Sequence, residues 1–275
     1  MKSPIPTLLR LATLTFALFA LFPGAQAADK KPHQIRVLCY NIHYGQGTDG
    51  IYDIARLAEV INKTQPDLVA LQEMDVHVKR SGRVHQLQEL AKLTGLHARF
   101  GPTQHYEGGL FGNAVLSRFP ILNVVIQPLP YTESTAEKVT YPRATVAVTV
   151  EGPNGKPLRI ISTHFQHNLA EDRVAEAKAV NALFTWKDQT IPTILAGDMN
   201  AKPEAEPVQI LLKKWTNSMD KNATPTVPST KPKSRIDYIF CRPATAFKVI
   251  ESKVIPESIA SDHRPVFAIL EIPAN

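Results

Sequence analysis

Thr193-Ile194-Leu195-Ala196-Gly197-Asp198-Met199-Asn200 reads as a short buried strand that ends by presenting two polar side chains. Successive residues of an extended chain face opposite sides, so Asp198 and Asn200 continue the face that carries Ile194 and Ala196. A carboxylate and an amide at the end of a core-facing strand call for a metal, phosphate or water partner. The plain alternative is a solvent-facing loop pair. Upstream lies a helical pattern over residues 171–186, with Val174, Ala177 and Leu183 among its apolar positions. Before that, residues 158–163 form a strand that delivers His164. The same plan occurs earlier in the chain. Residues 35–42 are a strand that carries Asn41, and Ile54, Leu57, Ala58 and Ile61 recur at helical spacing. Pro66 closes that helix, and residues 67–72 form a second strand that delivers Glu73. Both units place polar residues at the carboxyl ends of their strands, where open α/β sheets build their sites.

Working outward, residues 113–117 and 144–150 read as further strands. Residues 221–234 are rich in Pro, Thr and Lys and form an exposed loop. Residues 235–240 continue as a strand, and the last strand, residues 266–272, follows Ser261-Asp262-His263-Arg264-Pro265. No stretch is long enough to be an interdomain linker. The expected architecture is α/β: two similar halves pack sheet against sheet, with helices outside, in one domain over residues 28–275.

Residues 1–27 stand apart from that domain. Lys2 and Arg10 give a basic start, residues 11–22 are an apolar run, and Pro23-Gly24-Ala25-Gln26-Ala27 ends in an Ala-x-Ala pattern. This is the pattern of a cleaved signal peptide, and the run is shorter than the ~20 residues a membrane span needs. The expected product is a soluble, secreted or periplasmic protein without a membrane span, monomeric by preference. Loss of Lys2 and Arg10 lowers the formal charge from +6 to +4. A mild, dispersed positive charge suits an anionic substrate without singling out nucleic acid. With 275 residues, 44% of them apolar and 20% charged, the chain supports a sizeable core and excludes disordered and coiled-coil readings. Cys39 and Cys241 sit in apolar runs; buried free thiols are the default reading, with a disulfide as the alternative in an oxidising compartment.

The polar residues at strand ends and in the adjoining loops are Asn41, Glu73, His164, Asp198, Asn200, Asp237, Asp262 and His263. Carboxylates with amide oxygens make a hard-oxygen site suited to Mg²⁺ or Mn²⁺, and histidines exchange protons near neutral pH. The absence of a G-x-S-x-G elbow argues against an acyl-enzyme hydrolase. Each residue has a plain alternative: a turn cap for Asn41, a strand's exit into solvent for Glu73, a satisfied histidine for His164, a loop turn for Asp262 and His263. Their shared placement carries the argument.

Tyr40-Asn41-Ile42, Leu71-Gln72-Glu73, Ser162-Thr163-His164, Gly197-Asp198-Met199-Asn200, Ile236-Asp237-Tyr238 and Ser261-Asp262-His263 together resemble the endonuclease/exonuclease/phosphatase superfamily. The resemblance implies a four-layer α/β sandwich and hydrolysis of a phosphoester by metal-assisted attack of water. It makes Glu73 the principal metal ligand, with Asn41 beside it and Asp262 in the metal set. His263, oriented by Asp262, becomes the base or phosphate-polarising group. Asp198 positions the water, Asn200 holds a phosphate oxygen, and Asp237 pairs with His164. Arg80, Arg83, Arg118 and Arg143 are candidate substrate cations, with Arg143 and Arg83 singled out for phosphate. The Gly-rich segment 105–113 reads as a mobile loop at the rim. Asn41-Ile42-His43-Tyr44-Gly45 and the following Gly47-Thr48-Asp49-Gly50 resemble a branch linked to glycosylphosphatidylinositol lipid remodelling, which implies a lipid or inositol phosphodiester as substrate. A secreted nuclease that scavenges phosphate, a non-catalytic binding module and a purely structural Ca²⁺ site are the competing readings.

Overall fold

The computed structural model describes Met1 and residues 32–153, 155–186, 189–219 and 224–273. Residues 2–27, read above as a signal peptide, lie outside the described residues. The described residues from 32 onward belong to one compact unit.

The first half runs β1 (His33–Asn41), α1 (Ile54–Thr64), β2 (Leu68–Val76), α2 (Gln86–Thr94), β3 (His97–Tyr106) and β4 (Gly109–Ser117). The second runs β5 (Ile121–Pro128), β6 (Ala144–Glu151), β7 (Pro157–His164), α3 (Ala170–Phe184), β8 (Thr193–Asp198), α4 (Glu206–Leu212), β9 (Thr216–Asn217) and β10 (Asp237–Arg242). It is followed by β11 (Lys248–Val254) and β12 (Val266–Ile272). The strands form two six-stranded sheets, ordered β11-β12-β1-β2-β4-β3 and β5-β6-β7-β8-β10-β9. Position for position the orders match, so the repeat read in the sequence extends to whole sheets. Each centres on a parallel pair joined by a crossover helix: β1 with β2, and β7 with β8.

Alternation along β1 explains the layering. Ile35, Val37 and Cys39 face the second sheet, where they meet Val146, Val148, Ile160, Ile194 and Ile239. Leu38, Tyr40 and Ile42 face outward and pack on Leu57 and Ile61 of α1 and Leu90 of α2. On the far side Ile161, Leu195 and Phe240 bury Ala177 and Val180 of α3 and Leu211 of α4. The result is helix, sheet, sheet, helix, the expected four-layer sandwich. Fully burying each such aliphatic side chain stabilises the fold by about 1.5–3 kcal/mol. Asp53 caps α1 by accepting from the Arg56 amide at 2.9 Å, and Gly95 ends α2 in the left-handed conformation. Cys39 and Cys241 are buried free thiols.

The structure corrects several boundaries. β2 does not stop before Glu73 but continues to Val76, and segment 105–113 is not a loop but the β3–β4 hairpin. No helix among the described residues is long and apolar enough to cross a membrane.

Candidate active site

The carboxyl ends of both parallel pairs open on one edge of the sandwich. In the second sheet, pairing aligns His164 with Asp198, and Asp198 with Asp237. Cross-strand neighbours share a face, so three titratable groups far apart in sequence stand in one row. In the first sheet, Glu73 sits at an irregularity where the pairing of β2 with β4 shifts between Leu71 and Met74. Its φ of +59° is a left-handed conformation uncommon for a non-glycine residue, and it re-aims the carboxylate. Asn200 likewise has φ +46°, so the extended chain read through residue 200 in fact turns after Asp198.

Asn41, fully buried, joins the two sheets. Its Nδ2 donates to Glu73 Oε1 at 3.0 Å and to Asp198 Oδ2 at 3.1 Å, and its Oδ1 accepts from the His43 amide at 3.0 Å. Ser261 Oγ donates to the Asn41 carbonyl at 2.7 Å and accepts from the His263 amide at 3.2 Å. The loop before β12 is thereby fixed to the end of β1.

Asp198 is 1% exposed. Its Oδ1 accepts from the Asn200 amide at 2.8 Å. Burial first, and then the nearby Asp237 carboxylate, push its carboxyl up to about 7. His263 Nδ1 lies 2.9 Å from Asp237 Oδ2, and its Nε2 is 3.8 Å from Asp198 Oδ2. Burial opposes a charge on this ring, but Asp237 and Asp198 outweigh it and hold the imidazole well above its ordinary range. At neutral pH His263 is an imidazolium between two carboxyl groups. His164 behaves oppositely: burial first, and then Arg143, drive it well below the ordinary range. Its Nδ1 lies 3.2 Å from Arg143 Nη1, its Nε2 2.9 Å from Asn200 Nδ2 and 3.5 Å from Asp198 Oδ2. Asn200 Nδ2 also donates to the Phe165 carbonyl at 3.0 Å.

Two expected pairings are therefore corrected. Asp237 orients His263, not His164, because register sets Asp237 beside Asp198 at the foot of the His263 loop. Asp262 does not orient His263. Its side chain is 42% exposed, with His43 Nδ1 3.9 Å away.

His164, Asp198, Asn200 and His263 line a cleft of about 350 Å³ that also takes in His43, Tyr44, Glu73, Arg80, Gln104, Tyr106, Phe111, Tyr141, Arg143, His167 and Asp262. Arg83, expected at the phosphate, is not among them. It lies exposed, with Nη1 donating to the His77 carbonyl at 3.3 Å. Arg118 is paired with Asp67. Arg80 takes the inner position instead. It makes two 2.9 Å hydrogen bonds to the fully buried Asp75 and lies 3.7 Å from the Tyr44 ring centroid and 4.6 Å from that of Tyr106. His167, Tyr106 and Tyr141 stand at no strand end or motif of the sequence, His167 alone lying close to one, three residues past His164; Tyr44 belongs to the Asn41–Gly45 stretch quoted above.

A divalent cation has two candidate donor sets. Ligand atoms of Asp198, Asp237 and His263 lie within 4.8 Å of one another, with Nδ1 of His263 engaged by Asp237 Oδ2 at 2.9 Å. Glu73 and Asp262 line the cleft, and among the described residues neither carboxylate is paired with Lys or Arg. With the Asn41 amide hydrogen-bonded to Glu73, this hard-oxygen set fits Mg²⁺ or Mn²⁺.

The profile of the Endonuclease/Exonuclease/phosphatase family matches residues 38–263. Uncharacterized protein YbhP of Escherichia coli K12 is 24% identical over 250 residues, 86% of this chain and 96% of its own. Among solved structures, an endonuclease/exonuclease/phosphatase from Beutenbergia cavernae superposes with TM-score 0.71 and 27% identity, over 88% of this chain and 72% of that one. The mannosyl-6-phosphatase Bt3783 of Bacteroides thetaiotaomicron gives 0.69 and 21%, over 86% and 99%. The human Nocturnin catalytic domain gives 0.66 and 19%, over 87% and 95%. At these last two identities the likeness is one of fold.

Proposed function

The chain belongs to the endonuclease/exonuclease/phosphatase family, and we propose that it is an exported, metal-dependent phosphodiesterase acting on a lipid or inositol phosphodiester. Members of the family are phosphoester hydrolases. The observation that carries the reading is geometric: strand register sets His164, Asp198 and Asp237 in one buried row, and His263 is held 2.9 Å from Asp237 and 3.8 Å from Asp198. Burial and Asp237 push the Asp198 carboxyl up to about 7, while the two carboxylates raise His263.

A base is most effective when its pKa lies near the working pH, so Asp198 takes the proton of the attacking water. His263, held by Asp237, neutralises charge that develops on the phosphoryl oxygens, at a site dry enough to strengthen that interaction. His164 and Asn200, 2.9 Å apart, line the same cleft beside them. Glu73, Asn41 and Asp262 would hold Mg²⁺ or Mn²⁺, which supplies further charge neutralisation when bound.

A compact substrate is favoured by how the cleft spends its cations. Arg80 is committed to Asp75, and the terminal nitrogens of Arg143 face two histidines. A nucleic acid would need a groove of free cations along its backbone. Export rests on the leader pattern of residues 1–27.

Hydrolysis of bis-p-nitrophenyl phosphate and p-nitrophenyl phosphate, with Mg²⁺, Mn²⁺ or EDTA, tests the reaction. The expected result is metal-dependent turnover that prefers the diester. Phosphatidylinositol vesicles and plasmid DNA then separate lipid from nucleic acid. Failure on all four substrates would overturn the proposal. Amino-terminal sequencing of the exported protein should begin at Ala28, and an intact Met1 there would overturn export by cleavage.

A further inference from the structure

Tyr44, Arg80, Gln104, Tyr106 and Phe111 line the cleft but have no part in the proposed hydrolysis. Gln104 pairs with Phe111 across β3 and β4, and Phe111 pairs with Asp75 across β4 and β2. Cross-strand neighbours share a face, and Tyr106, two residues past Gln104, continues it. There Arg80 is boxed by rings. Its guanidinium carbon is 3.7 Å from the Tyr44 centroid, 4.6 Å from that of Tyr106 and 5.3 Å from that of Phe111. The Arg80 amide donates to Glu107 Oε2 at 2.8 Å, which ties its loop to the β3–β4 turn.

The box is preformed. Buried Gln86 donates from Nε2 to the Tyr44 carbonyl at 2.7 Å, and its Oε1 accepts from the Asp75 amide at 2.9 Å. One side chain thus fixes the Tyr44 segment to the strand that holds Arg80. His43 and Tyr44 have φ of +46° and +42°; such left-handed non-glycine residues cluster at ligand sites, where the surroundings over-determine them. The polar edge of the box is unspent. Asp75 takes Nε and Nη2 of Arg80, two of the five N–H donors of a guanidinium. Among the described residues, Arg80 Nη1, the Tyr44 and Tyr106 hydroxyls and the Gln104 side-chain amide have no hydrogen-bond partner. Asp75 also offsets the charge of Arg80, so a second anionic group finds no uncompensated cation here.

We propose that Tyr44, Arg80, Gln104 and Tyr106 form a subsite for a hydroxyl-bearing ring, a sugar or cyclitol, carried by the substrate ester. Each hydroxyl of such a ring both donates and accepts. That matches a guanidinium edge that only donates, two phenol hydroxyls that do both, and an amide that offers one group of each kind. The apolar C–H surface of the ring suits the flanks of Tyr106 and Phe111. A nucleobase would need an uncovered aromatic face, and Tyr44 is already engaged by the guanidinium and by the His43 ring, 4.2 Å away between centroids. The chemistry of the ring follows from the box alone; its arrival as a phosphoester rests on the phosphodiesterase reading.

Isothermal titration calorimetry of the full chain, in EDTA so that no metal-dependent turnover consumes the probe, compares methyl phosphate, myo-inositol 1-phosphate, glucose 1-phosphate and adenosine 5′-monophosphate. At least one polyol phosphate should bind about 10-fold or more tightly than methyl phosphate, the gain of two neutral hydrogen bonds. The better of the two tells a cyclitol from a sugar. Gln104→Ala and Tyr106→Phe, both on the edge strand β3, should each lower that ratio about 3-fold or more. Equal or undetectable binding of both polyol phosphates, or a ratio unchanged in both variants, would overturn the subsite. So would tighter binding of adenosine monophosphate than of either polyol phosphate, which would mark the rings as a platform for a base. The two readings fail separately. Turnover of bis-p-nitrophenyl phosphate without a polyol preference sinks the subsite alone. A polyol preference in a protein that hydrolyses no phosphoester sinks the reaction alone.

Discussion

In the folded protein the Asp198 carboxyl rises from 3.8 to about 7, with burial the largest cause and Asp237 the next. In the unfolded chain it ionises near 4. Between about pH 4 and 7 the folded protein therefore binds one proton more than the unfolded chain, and this group's contribution to stability falls as pH rises through that window. A difference of about three units corresponds to ~4 kcal/mol once pH exceeds 7. Asp198→Asn removes the ionisation while keeping the shape. Its cost comes from the two hydrogen bonds that the carboxylate accepts, from the Asn200 amide at 2.8 Å and from Asn41 Nδ2 at 3.1 Å. An asparagine keeps one and turns its own NH₂ toward the other, at about 1–2 kcal/mol; the attraction to the His263 imidazolium is already contained in the raised pKa. The net gain at pH 8 is about 2–3 kcal/mol, or roughly 4–12 °C in Tm for a domain of this size. At pH 5 the wild-type carboxyl is already protonated, so the gain should vanish or reverse. Thermal unfolding followed by circular dichroism in EDTA at both pH values reads the difference, and turnover in Mg²⁺ should be lost. Equal Tm shifts at pH 5 and pH 8 would refute the account of Asp198 as a group strained by its own charge, and turnover near the wild-type rate would refute its role as the base.

His263→Ala should lower kcat about 10²–10⁴-fold. In Asp237→Asn, which keeps the ring but removes the carboxylate that raises its pKa, the alkaline limb of the pH–rate profile should move to lower pH. An unmoved limb would detach that limb from His263. Asp75→Asn leaves Arg80 without its bidentate buried partner, and urea unfolding should show a loss of about 3 kcal/mol; a loss below about 1 kcal/mol would mean that the aromatic rings alone hold the guanidinium. Gly197→Ala sets a Cβ 2.1 Å from the Thr163 carbonyl oxygen, so β8 must move away from β7. A loss of about 2–3 kcal/mol by urea unfolding, together with weakened turnover, is expected.

Where an element lay in the core, its pattern was legible. Residues 35–42, 158–163 and 193–196 are apolar almost throughout because both faces of their sheets are covered, and they correspond to β1, β7 and β8. Edge and near-edge strands escaped notice for the converse reason. β3 carries Gly101 and Pro102 within it, and β11 alternates Lys248, Val249, Ile250 and Glu251 in half-exposed surroundings, so neither gives a buried-strand signal. The identity of the clustered polar residues could be read from their places at strand ends. Their partners could not, since Asp237 meets His263 only through the register of β10 with β8 and the anchoring of Ser261 to Asn41. Arg80 and Arg83 are three residues apart in one loop, and no periodicity says which will turn inward. Burial of Asp75 at the end of β2 decides it.

β1 lies against β12 from His33↔Ile272 to Cys39↔Val266, and Ser261 reaches back 220 residues to the Asn41 carbonyl. A chain emerging from the ribosome thus carries Asn41, Glu73, His164, Asp198 and Asp237 well before it has the segment that brings His263 among them. Contacts of such long sequence separation form late. The site is therefore closed by its most distant segment: the sheet edge that carries Asn41, Glu73, His164, Asp198 and Asp237 takes in His263 only when the loop before β12 docks on the end of β1.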